Sequence, residues 1–269
     1  MTLKPAFTLE KPKPDLLIVD AGGTLFDPGS VVPVYAFQGS FKYTLAQDGK
    51  PYGIDVSFQT VMKYMGMGKR EHVKSMLSEP LVIEQFQRRF GHTPTESDSQ
   101  SIYASFIEQL YPLAPRNKEI PKVKEACFRL KEAGIPIVMT TGYDRRMINE
   151  IRKVLPWLDD LLLCSVAATD INRSRGRPAP FMIYRAMEEA LVENPSYVVN
   201  VGDTEVDLLS ADNAHVPGVL VTSGSIREAD AERVNSKIGR KHLVAKDLAE
   251  VAGYVLDETL VDRIRELND

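Results

Sequence analysis

Residues 16–19, 135–140, 161–166, 197–202 and 218–223 are short apolar runs, and stretches with a different rhythm separate them. A run that is apolar at every position fits a strand buried on both faces, the usual state of a parallel sheet covered by helices. Between the runs the spacing becomes helical. Val123, Ala126, Cys127, Leu130 and Ala133 mark one face of a helix over 120–133, which Gly134 is placed to end. Met147, Ile148, Ile151, Val154 and Leu155 mark the next, and Pro178 and Pro180 suit the opening turn of another. A helix over 205–214 and a last strand and helix near 241–256 complete the alternation. The pattern predicts an α/β fold with a doubly wound, Rossmann-like parallel sheet, whose ligands bind beyond the carboxyl ends of the strands.

Residues 30–111 break the alternation. They show no convincing strand and predict helices near 31–47, 55–65, 69–77, 80–90 and 95–111. In the last of these Ile102, Phe106 and Leu110 share a face, and Thr95 with Asp98 has the spacing of a capping box. The expected organisation is a core of residues 1–29 and 112–269, with an all-helical cap of residues 30–111 inserted after the first strand.

Composition narrows the class without choosing a chemistry. The 269 residues are 43% apolar and 26% charged, with a net charge of −4, so nothing points to a nucleic-acid or membrane surface. No stretch approaches the length of a membrane span, and the first fifteen residues contain no apolar signal core, so a soluble, cytoplasmic protein is expected. Cys127 and Cys164 both fall in apolar settings without metal-ligand spacing, which argues for neither zinc nor a disulfide framework.

The candidate chemistry lies at the strand ends. Asp20 closes the first run and leads into Ala21-Gly22-Gly23-Thr24. Thr141-Gly142 follows the second, Arg177 precedes a helix, and Gly202-Asp203-Thr204 follows a later strand with Asp207 four residues beyond Asp203. Each alone reads as a cap, a β-residue or a surface cation. Together, at one edge of a parallel sheet, they point to chemistry rather than capping, with Asp20 placed as a phosphoryl-transfer nucleophile.

This set resembles the haloacid dehalogenase superfamily over nearly the whole chain. The resemblance implies Asp20 as nucleophile, Thr24, Thr141, Arg177 and Asp207 as its supporting catalytic residues, and Asp20, Asp203 and the Gly22 carbonyl as ligands of Mg²⁺. Superfamily phosphatases usually carry a second aspartate at the position of Gly22, to protonate an alkoxide leaving group. Glycine cannot do so. One branch, the phosphonoacetaldehyde hydrolases or phosphonatases, has a small residue there and cleaves a phosphorus–carbon bond through an imine on a cap lysine.

The stretch Tyr64-Met65-Gly66-Met67-Gly68-Lys69-Arg70-Glu71-His72-Val73 is similar to that branch's lysine segment, as are Thr141-Gly142-Tyr143 and Gly176-Arg177-Pro178-Ala179-Pro180. The resemblance implies Lys69 as the imine-forming residue, His72 as its proton relay, and Met65, Gly142 and Tyr143 as substrate contacts. It also implies a small phosphonate substrate and a homodimer joined through the cap. A local argument supports Lys69: Gly66 and Gly68 place a helix start at about Lys69, where the helix dipole disfavours an ammonium and should lower its pKa. Two positions depart from the branch. Ala21 replaces a bulky aromatic and Ser30 a cysteine, which leaves room for a wider cavity and an altered aldehyde beside the phosphonoacetaldehyde that the branch implies. Two other readings stand beside this one: a phosphate-ester phosphatase with impaired leaving-group protonation, and an inactive phosphate-binding or regulatory protein.

Overall fold

The computed structural model describes residues 3–172 and 175–267. Six strands form one parallel sheet: β1 (Leu16–Asp20), β2 (Ile137–Thr141), β3 (Cys164–Ala167), β4 (Val198–Gly202), β5 (Gly218–Val221) and β6 (Leu243–Ala245). Their order is β3-β2-β1-β4-β5-β6, so the sheet is wound outward in both directions from β1. The switch falls between β1 and β4, where such sheets place their ligand crevice.

Within residues 30–111, after β1, the chain forms five α-helices: α1 (Val32–Tyr43), α2 (Phe58–Met62), α3 (Lys69–Leu77), α4 (Pro80–Phe90) and α5 (Glu96–Leu110). No strand occurs among them. Eight more follow: α6 (Val123–Glu132), α7 (Arg145–Val154), α8 (Trp157–Leu161), α9 (Phe181–Glu189), α10 (Glu205–Ala214), α11 (Glu228–Ile238), α12 (Leu248–Leu256) and α13 (Leu260–Glu266).

The apolar strands alternate as a pleat requires. Leu17 and Val19 of β1 pack into the large core shared with α6 and α12, whereas Leu16 and Ile18 face α9 and α10. Each fully buried side chain of this kind contributes about 1.5–3 kcal/mol. The Thr95–Asp98 capping box forms at the start of α5, and Gly134 takes the left-handed conformation (φ +75°) after α6.

Several boundaries differ from expectation. The run over 161–166 is not all strand: Trp157–Leu161 is helical, Leu163 is exposed, and pairing begins at Cys164. In the run over 135–140 the strand begins only at Ile137. Helices α11 and α13 were not anticipated. Few side chains of α11 face the core, chiefly Ala231 and Val234, so its periodicity is faint.

Candidate active site

β1 pairs with both β2 and β4, so the carboxyl ends of the three strands lie side by side. Asp20 is the last residue of β1, Thr141 the last of β2, and Asp203 follows Gly202 at the end of β4. After Asp20 the chain turns tightly, with the Leu25 N–H donating to the Ala21 carbonyl and the Gly23 N–H to that of Phe26. Gly23 has φ +86°, and a Cβ there would overlap Asp203 Oδ2. Only glycine lets this loop come so close.

The sheet side of the site is a network of charges. Arg177 Nη1 lies 2.6 Å from Asp20 Oδ1 and also pairs with Asp207 Oδ1. The other oxygen of Asp207 accepts from the Thr204 N–H and hydroxyl, capping α10. Asp203 Oδ2 accepts from the Ser225 N–H at 2.6 Å and the Ser30 hydroxyl at 3.0 Å, while its Oδ1 is buried without a hydrogen-bond partner. Burial, and after it the Asp20 carboxylate, pushes the Asp203 carboxyl up to about 7. Asp20, Asp203 and Asp207 each bring a carboxylate oxygen within 4.8 Å of the others. A buried, all-oxygen donor set with one unpartnered oxygen fits a hard divalent cation such as Mg²⁺.

The other side comes from the helical segment. Lys69 is the first residue of α3, as the two glycines before it predicted, and it is buried. Its Nζ lies 4.0 Å from Met65 Sδ, and 5.2 and 5.8 Å from the ring centroids of Tyr143 and Phe37. Burial lowers its pKa to about 8; Asp20 draws it back up and Arg177 pushes it down. Tyr143 is displaced well above its ordinary value, first by burial and then by Asp27, Asp20 and Asp203, so its phenol stays protonated. A Cβ on Gly22 would stand 3.9 Å from that phenol oxygen.

The two sides meet without a gap. A Cβ on Gly142 would lie 2.9 Å from the Met67 carbonyl oxygen, and one on Gly66 (φ +87°) would overlap Thr204 and Val206. Backbone thus packs against backbone and the start of α10. The cavity between the two sides has a volume of about 30 Å³.

Of the residues singled out in the sequence, Asp20, Gly22, Met65, Lys69, Thr141, Gly142, Tyr143, Arg177 and Asp203 all line this one cavity. Asp207 acts on it through Arg177. Thr24 is buried, does not line it, and leaves its hydroxyl without a partner. His72 lies elsewhere, within the helical segment, its ring 4.1 Å from Phe37 and its Nε2 2.9 Å from the Val61 carbonyl oxygen. Burial, then the Lys69 charge, holds it well below its ordinary pKa and hence neutral. His72 packs on the inner face of α3, against the Phe37 ring that also faces Lys69.

Asp27 and Ser30 also line the cavity and carried no role in the sequence reading. Asp27, at φ +55°, accepts from the N–H groups of Val31 and Val32 at the start of α1, and burial pushes its carboxyl up to about 6. Ahead of Pro28-Gly29 it reads as an ordinary turn residue. Ser30 was legible only as a departure from the resembled branch.

The description "haloacid dehalogenase-like hydrolase" matches residues 14–215. The chain belongs to that family. It is a hydrolase, and its sheet order is that of a doubly wound α/β enzyme. Among relatives of this hydrolase, a phosphonoacetaldehyde hydrolase from Parabacteroides distasonis is 32% identical over 252 residues, covering 90% of this chain and 91% of that one. A bifunctional phosphonoacetaldehyde hydrolase/aminoethylphosphonate transaminase from Clostridioides difficile is 30% identical over 91% of this chain and 38% of its own length. The crystal structure of a phosphonoacetaldehyde hydrolase-like protein from Oleispira antarctica superposes with a TM-score of 0.81 at 25% identity, covering 99% of this chain and 98% of that one. A β-phosphoglucomutase from Clostridium difficile, at 15% identity and a TM-score of 0.66 over 91% and 96% of the two chains, shares the fold alone. No helix among the described residues is long and apolar enough to cross a membrane.

Proposed function

We propose that this hydrolase cleaves the phosphorus–carbon bond of phosphonoacetaldehyde, giving acetaldehyde and phosphate, with Mg²⁺ as cofactor and residues 30–111 as a cap over the sheet. One observation carries the proposal: Asp20 and the buried amine of Lys69 line the same cavity, with glycine at position 22. The names of the relatives support the substrate. A pKa of about 8 leaves about one Lys69 in ten unprotonated at pH 7, against about one in three thousand for an ordinary lysine.

The chemistry then follows from the residues present. Lys69 Nζ adds to the aldehyde carbon, and loss of water gives a protonated imine. Asp20 attacks phosphorus, and the phosphorus–carbon bond breaks as its electron pair moves into an enamine on Lys69. Carbon therefore leaves without an acid at position 22. Arg177 and Thr141 stabilise charge on the transferring phosphoryl group. Protonation of the enamine carbon and hydrolysis of the imine release acetaldehyde and free Lys69, and water cleaves the aspartyl-phosphate. When bound by Asp20, Asp203 and the Gly22 carbonyl, Mg²⁺ supplies further stabilisation of phosphoryl charge.

Turnover of phosphonoacetaldehyde against a panel of phosphate esters tests the reading, with borohydride added to trap the imine. The expected result is cleavage of the aldehyde, weak or no ester hydrolysis, and a reduced secondary amine on Lys69 in a peptide map. Ester hydrolysis without aldehyde cleavage would sink it.

A further inference from the structure

We infer that Ser30 is a positioning residue for Asp203, fixing which carboxylate oxygen is offered to the metal. The inference rests on the reading that these carboxylates hold Mg²⁺, and not on the identity of the substrate. The Ser30 hydroxyl donates to Asp203 Oδ2 at 3.0 Å, and both residues are buried. The same oxygen accepts from the Ser225 N–H and lies in a slot between two glycines, since a Cβ on Gly23 or on Gly224 would overlap it. Oδ2 is thus held on several sides, and Oδ1 is left without a hydrogen-bond partner. An aspartate bound in this way offers one oxygen to a cation and has little freedom to rotate.

Ser30 is itself held for the purpose. It lies at φ +52°, a region few non-glycine residues occupy, and its N–H donates to the Asp27 carbonyl at 2.8 Å. The preceding Gly29 N–H donates to the Ser223 carbonyl at 3.0 Å, tying the segment to the loop that also supplies Ser225. The path from the Asp20 loop to α1 is therefore anchored beside Asp203. Partners of this kind orient ligands, and losing one commonly costs about 10–100-fold in metal affinity.

The test is Mg²⁺ binding by the full chain, without substrate, measured by calorimetry and by the Mg²⁺-induced rise in Tm. Ser30→Ala should weaken Mg²⁺ by about tenfold, the lower end of that range, because the Ser225 N–H still holds Oδ2. Ser30→Gly removes the same donor and relaxes the positive φ, so it tests the point even if the alanine variant folds poorly. Ser30→Cys, with a weak S–H donor, should fall between. A hydroxyl that merely satisfied a buried acceptor would lower the metal-free Tm and leave the Mg²⁺ Kd unchanged. A Kd within twofold of wild type in both donor-less variants, or a wild-type protein that does not bind Mg²⁺, would overturn the inference.

Discussion

Beyond the ends of β1 and β4, Asp20, Asp203 and Asp207 are buried together and Arg177 pairs with two of them. Across the same cavity Lys69 is buried against Met65, Phe37 and Tyr143. On the sheet side, charge is kept in place by opposite charge and hydrogen bonds. On the helical side, burial without a close ion-pair partner lowers the amine's pKa to about 8, so that a fraction of it is uncharged near neutral pH. One face is suited to an anion and its cation; the other is suited to a neutral nucleophile. On the proposed reaction, that contrast would let one small cavity serve phosphorus and a carbonyl with different electrostatics.

The largest effect should come from the nucleophile. Asp20→Asn keeps the shape of the carboxylate and removes its nucleophilicity, so kcat for phosphonoacetaldehyde should fall by at least about 10⁴-fold with an unchanged melting curve. Near-normal turnover in a deamidation-free sample would remove Asp20 from the mechanism.

Stability should separate the two sides with opposite signs. Arg177→Met leaves Asp20 and Asp207 without their shared cation in a buried site, and in metal-free buffer should destabilise the fold by about 3–5 kcal/mol in denaturant titration. Lys69→Met replaces a buried amine with a chain of similar length among apolar neighbours. It should abolish imine trapping and yet stabilise the fold at pH 7 by roughly 3 kcal/mol, or about 6 °C in Tm.

That last gain has a pH signature. Between about 8 and the ordinary lysine value of 10.5, the unfolded chain holds a proton on Lys69 that the folded chain has released. Wild-type stability therefore rises with pH through this window. The advantage of Lys69→Met should be full below pH 8 and shrink as pH approaches 10.5. An advantage independent of pH would show that packing, not charge, sets it.

The legible parts of this molecule share a physical cause. β1, β2 and β4 are buried throughout and mostly apolar because both faces are covered, Asn200 within β4 being the interior exception, and their ends carry polar residues because the sheet stops there. Asp20, Thr141 and Asp203 were visible for that reason. Lys69 was visible through the resemblance of its segment to the phosphonatase branch, with the turn that Gly66 and Gly68 announce before α3 as local support. His72 shows the limit: its position relative to Lys69 was clear, but the stacking of Phe37 on Phe106, at 4.0 Å between centroids, could not be seen in the sequence. Asp27 and Ser30 became site residues only through contacts with distant elements, in the case of Ser30 a residue 173 positions away.

The seam between Gly66–Met67, Gly142 and Thr204 has a kinetic consequence. A chamber of about 30 Å³ has space for only a few water molecules, too little for a phosphonate group to enter or a phosphate ion to leave. On the proposed reaction, traffic requires the α2–α3 turn to lift from the sheet and settle again, a rearrangement belonging to the microsecond-to-millisecond range of loop and domain motions. The frequency of that opening would then be a ceiling on the rate that no improvement in bond-breaking could raise.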